Sequence, residues 1–61
     1  MKTFEYWFEN EQGIVENAIE AENYEDAVKQ LKEKYPNDQG SDGQLFWSDE
    51  SDNEVEKFID W

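Results

Sequence analysis

Four glutamates, Glu5, Glu9, Glu16 and Glu20, with Trp7 among them, carry the most suggestive chemistry of this sequence. Carboxylates attract cations, an indole face receives Lys or Arg by cation–π contact, and Trp is a frequent interface anchor. On one face of a sheet, carboxylates two residues apart along a strand stand about 6.7 Å apart, a spacing of the same order as successive phosphates of a nucleic acid. The acidic turn Asp49, Glu50 and Asp52, with Glu54 and Glu56, would extend that surface. Together these residues would imitate the charge pattern of a duplex and occupy the basic groove of a nucleic-acid-binding protein. The plainer reading is a solvated face, because high net charge also keeps small proteins soluble.

A second group, Asp38, Gly40, Asp42, Gly43 and Asp49, falls at offsets 1, 3, 5, 6 and 12 of an EF-hand-like register. Calcium needs a side-chain oxygen at the third position and a bidentate Glu at the twelfth, and Gly40 and Asp49 supply neither. Ordinary Asp/Gly turn chemistry accounts for the segment, so no metal and no cofactor are expected. Catalysis is discounted on composition: there is no His, no Cys and no Arg to serve as neutral-pH base, thiolate nucleophile or oxyanion clamp. Paired carboxylates need a cleft, which a domain of this size hardly offers, and the chain reads as non-enzymatic.

Seventeen acids face five lysines, a formal net charge of −12 in 61 residues. The imbalance is uneven. Residues 1–23 carry one lysine and six acids, 24–36 three of each, and 37–61 one lysine and eight acids. A phosphate backbone needs cations to displace its counterions, and an anionic membrane repels this chain in the same way. Direct nucleic-acid and membrane binding are therefore disfavoured, and a basic protein surface is the expected partner. No charged-then-apolar leader opens the sequence and no apolar run approaches the roughly 18 residues of a membrane span, which gives the expectation of a cytoplasmic protein.

The element that must position these residues is Asn23 to Pro36. Asn23 is a helix cap, Asp26 stands at the reciprocal position of a capping box, and Pro36 stops the helix. Tyr24, Ala27, Val28, Leu31 and Tyr35 form one apolar stripe. Thr3 to Asn10 alternates with period two, Phe4, Tyr6 and Phe8 against Thr3, Glu5, Trp7 and Glu9. Asn10 to Gly13 supplies a turn, and Ile14 to Ala21 returns antiparallel, with Val15, Ile19 and Ala21 toward the helix and Ile14, Glu16, Ala18 and Glu20 outward. Asn37 to Gly43 is loop, Gln44 to Ser48 a short strand, and Glu54 to Trp61 fits a strand better than a one- or two-turn helix, which is weak alone.

These elements define an α+β domain over residues 1–61: a small antiparallel sheet in ββαββ order with one amphipathic helix on one face. Ten aromatic residues offer the buried area that a chain without disulfides needs; Trp47 and Trp61 belong to that core, and Trp7 lies outside it. In size and charge the chain resembles the small acidic inhibitors of bacteriophages and mobile elements, DNA mimics and anti-CRISPR proteins among them. That resemblance is one of class, carried by no motif, and implies steric and electrostatic competition with nucleic acid. The contrasting expectation is an assembly module, a homodimer burying Trp7 and an edge strand, whose charge serves solubility.

Overall fold

A computed structural model describes residues 1–61 as β1 (Lys2–Asn10), β2 (Gly13–Ala21), α1 (Tyr24–Lys34), β3 (Gly43–Ser48) and β4 (Glu54–Phe58). The ββαββ order is as the sequence predicts. The four strands form one antiparallel sheet in the spatial order β2-β1-β3-β4, and the apolar face of α1 covers one side of it. No helix is long and apolar enough to cross a membrane.

Alternation in β1 sorts its side chains between two environments. Phe4, Tyr6 and Phe8 are at most 2% exposed and make the core with Ala21, Ala27, Val28, Leu31, Leu45 and Ile59. Aromatic edges lock it together: Phe8 meets Tyr35 at 4.9 Å and Trp61 at 5.3 Å, both edge to face, an arrangement that the ring quadrupoles favour. The Tyr6 and Tyr35 hydroxyls lie 2.8 Å apart in a hydrogen bond. Burial, then this bond and the neighbouring Tyr35 phenol, push the Tyr6 pKa well above its ordinary value of 10.0.

The helix begins as its sequence dictates, with one difference. Asn23 Oδ1 accepts from Asp26 N at 2.8 Å, whereas the Asp26 carboxylate accepts from Glu22 N at 3.1 Å instead of from the cap residue itself. The same Asp26 oxygen also accepts from Gln30 Nε2 at 3.3 Å. At the far end Tyr35 closes on Leu31 O at 2.8 Å, and Pro36 follows.

The last segment is a strand through Phe58, with the final residues folded over the core. Ile59 N donates to Gly43 O at 3.0 Å and Trp61 Nε1 to Ser41 O at 2.7 Å. Tyr24 fastens this end: its hydroxyl donates to Phe58 O at 2.6 Å and accepts from Asp60 N at 3.0 Å. Burial is not shared by all ten aromatic residues, since Phe58 points to the uncovered face and is 73% exposed. Gly43, which reads in the sequence as the end of a loop, opens β3 opposite Phe8. A side chain there would run into the Trp7 carbonyl and stand 2.5 Å from Phe8 Cβ, so the approach of β1 to β3 requires glycine.

Candidate functional site

The strand register assigns every residue of the uncovered face. Across β2, β1, β3 and β4, one row reads Glu16, Trp7, Gln44, Phe58, and the next reads Ala18, Glu5, Phe46, Glu56. Toward one end Glu20 and Thr3 pair on β2 and β1 while Ser48 and Glu54 pair on β3 and β4; toward the other, Ile14 faces Glu9. All five residues singled out from the sequence, Glu5, Trp7, Glu9, Glu16 and Glu20, thus lie together on this face. Glu54 and Glu56 join them from β4.

Their spacing differs from the expectation of carboxylates two residues apart on one strand. Glu5 and Glu9 are separated by Trp7, and Glu16 and Glu20 by Ala18, so each pair is four residues, about 13 Å, apart along its strand. Only Glu54 and Glu56, on β4, keep the two-residue separation; among the other four the close neighbours are diagonal. Glu9, Glu16, Glu5 and Glu20 zigzag between β1 and β2 in register, each step about 7–8 Å. No glutamate stands directly opposite another: their partners across the strands are Ile14, Trp7, Ala18, Thr3, Phe46 and Ser48. That checkerboard limits like-charge repulsion, which is worst between directly opposed residues.

Lysines are kept off this face. Lys29, Lys32 and Lys34 are on α1, Lys2 shares the strand parity of Phe4, and Lys57 turns toward the helix with its Nζ 4.5 Å from the centre of the Tyr24 ring. The outward strand positions therefore carry six glutamates and no cation. Between the acidic lines β3 is neutral, presenting Gln44, Phe46 and Ser48. Trp7 is half-buried and held by donation from its Nε1 to Gln44 Oε1 at 3.2 Å. Two open depressions flank Phe46, one between Glu5, Glu54 and Glu56, the other between Glu5, Trp7 and Glu16.

The acidic turn contributes less than the sequence implies. Asp49 Oδ1 accepts from Ser51 N and Asn53 N, both at 2.9 Å, and these bonds, with Asn53 first, hold its carboxyl below the ordinary value of 3.8. Asp49 therefore shapes the turn, in which Asp52 takes φ +62. The EF-hand-like register is dispersed: Asp38 accepts from Asn10 Nδ2 at 3.3 Å, the Asp42 carbonyl accepts from Glu9 N at 3.0 Å, and Asp49 lies beyond the whole of β3.

Phe46 and Phe58 were not singled out from the sequence as surface residues. The signal existed, because period-two alternation opposes Phe46 to Leu45 and Trp47 and places Phe58 with Glu54 and Glu56; their aromatic character points to the core and masks it. No family model matches the chain, and neither a curated protein nor a solved structure matches it at a significant level.

Proposed function

We propose that this chain is a non-enzymatic, acidic protein-binding module whose uncovered sheet face engages the basic groove of a nucleic-acid-binding protein and competes there with nucleic acid. The observation that supports this reading is the segregation of charge: six glutamates and no lysine face outward from the sheet. A chain acidic only for solubility has no need to confine its lysines to the helix side. Long-range attraction would speed encounter with a basic partner and weaken with salt, since the Debye length is about 8 Å at physiological ionic strength. An inhibitor of the bacteriophage or mobile-element kind would act in this way, within the cytoplasm where its target works.

The assembly reading draws on the exposure of Phe58 on edge strand β4. Two features oppose it. A second copy brings the same −12 charge, and some backbone groups directed outward from each edge are already engaged: Asn17 Oδ1 accepts from Ala18 N, Gln30 donates to Glu20 O, and Tyr24 donates to Phe58 O. Such engagement discourages strand-to-strand pairing.

The test is affinity capture from a bacterial lysate at about 50 mM and about 200 mM salt, a range over which charge-driven contacts weaken strongly. A captured nucleic-acid-binding protein that added DNA releases, and that the double variant Glu5→Lys, Glu9→Lys fails to capture while still folding, supports the reading. A partner indifferent to DNA, salt and the double variant removes this face from it, and loss of self-association in that variant favours assembly.

A further inference from the structure

We propose that the element this face receives is a single basic amphipathic helix lying along β3, its apolar stripe over Phe46 with Trp7 and Phe58 to either side and its Lys or Arg side chains spread to the glutamates on both flanks. This rests on the functional reading above and names the part of the partner that makes contact.

Three observations select that occupant. Size comes first. From Thr3 to Glu9 the face runs six residues, about 20 Å, and from β2 to β4 three strand spacings, about 14 Å. With side-chain margins it offers on the order of 500 Å², below the roughly 800 Å² per partner of a standard interface. A broad protein surface would overhang it, whereas a helix of about 13 residues is 20 Å long and 10–12 Å across. The major groove of DNA, about 12 Å wide, admits the same object.

The second observation is the layout of the face. Glu9, Glu16, Glu5 and Glu20 line the β1–β2 side, Glu54 and Glu56 line β4, and β3 between them carries no charge. A ligand with cations along one edge would satisfy one line and leave the other unmatched. A helix carries residues at successive turns on both flanks of one ridge, and long cationic side chains reach sideways while their stems cover apolar surface.

The third is Phe58, 73% exposed beside half-buried Phe46 and Trp7. Trp7 stands between Glu5 and Glu9 along β1 and Phe46 between Glu5 and Glu56 across the sheet, with Phe58 beside Phe46 at the edge; aromatic residues among charges in this way can anchor an interface by excluding water. A purely cationic, apolar-free ligand would leave these rings wet. Like charge opposes a second copy of this chain on this face, and charge complementarity selects a basic partner.

Three synthetic peptides test the inference by titration calorimetry: a helical peptide with a leucine ridge flanked by arginines, its equally charged helical counterpart with the ridge leucines changed to glutamine, and a lysine homopolymer of the same charge. The ridged peptide is expected to bind at least about tenfold more tightly than either of the others, a difference of about 1.4 kcal/mol. Phe58→Ser, at a position too exposed to support the core, should remove most of that margin, with circular dichroism confirming the fold. Equal affinity for the three peptides on the unmodified chain, or a margin that survives Phe58→Ser, overturns the helix proposal. If binding is equal but weakened by Glu5→Lys with Glu9→Lys, the acidic-face reading stands and the helix falls. If the ridged peptide binds and is indifferent to that double variant, both fall.

Discussion

Alternate residues of one strand do opposite work in this molecule. Phe4, Tyr6 and Phe8 are sealed beneath the helix, whereas Glu5, Trp7 and Glu9, one position along, stand on a face that nothing covers. The first set provides the apolar burial that holds so small a sheet together. The second adds nothing comparable to stability and contains like charges that oppose compaction. A chain of 61 residues that keeps a half-buried Trp and an exposed Phe amid six glutamates presents apolar surface on its charged face. The contrast separates residues that make the fold from residues that the fold presents.

Breaking the inner set has the largest expected effect. Phe8→Ala empties a site enclosed by Tyr6, Tyr35 and Trp61, at a cost of about 3–5 kcal/mol. Domains are stable by roughly 0.05–0.15 kcal/mol per residue, so this variant loses a large share of the chain's stability and its urea midpoint, read by far-UV circular dichroism, should fall steeply. Gly43→Ala forces β1 and β3 apart at Trp7 and Phe8 and should cost at least about 1–3 kcal/mol, read from urea midpoints. A native-like midpoint for either would show that the core is not organised on β1.

Tyr6→Phe is a gentler cut, removing only the hydroxyl bonded to Tyr35, and should cost about 1 kcal/mol near neutrality. Its pH signature is more diagnostic. Because the folded state raises the Tyr6 pKa above 10.0, its contribution is full below pH 10 and is lost as pH rises beyond that into the range where the unfolded chain ionises and the folded one resists. Tyr6→Phe should flatten that alkaline loss in urea midpoints measured across the range. Asp49 acts at the other end of the scale: its lowered pKa gives stability present above 3.8 and lost as pH falls below it. In Asp49→Ala the amide protons of Ser51 and Asn53, bonded to its carboxylate, should exchange faster with solvent; unchanged exchange would mean that the turn holds itself.

The fold was legible in the sequence wherever periodicity and punctuation agree. Asn23 and Pro36 bracket α1, and the strict alternation of Thr3 to Asn10 fixes both faces of β1, including the outward position of Trp7. Legibility failed where residue type and position conflict. Phe46 and Phe58 carry core-type side chains at outward positions, so composition hides what alternation would reveal. Gly43 looks like loop because its need for glycine comes from Trp7 and Phe8, distant in sequence, and no local pattern records a close approach between strands. The four-residue separation of Glu5 from Glu9 and of Glu16 from Glu20 is plain in the sequence; only their diagonal steps depend on the pairing of β1 with β2, a register that neither strand specifies alone.

Neutralising the outer set should have the smallest effect on stability and sharpens the comparison most. Each of Glu5→Gln, Glu9→Gln and Glu16→Gln removes a charge without changing shape, at a position whose direct cross-strand neighbour is Ala18, Ile14 or Trp7. Surface substitutions of this kind fall within about 0.5 kcal/mol, and here the sign should be stabilising, because each carboxylate is repelled by diagonal neighbours about 7–8 Å away. That gain is electrostatic, so it should vanish in about 1 M salt, where the Debye length is about 3 Å. Urea midpoints of the three variants at low and high salt measure both quantities. A loss above about 1 kcal/mol that persists in salt would make these carboxylates structural and collapse the distinction between the two faces. A small gain that salt removes would leave them as charges the folded chain tolerates at a cost to its own stability, which is the pattern expected of residues kept for something outside the molecule.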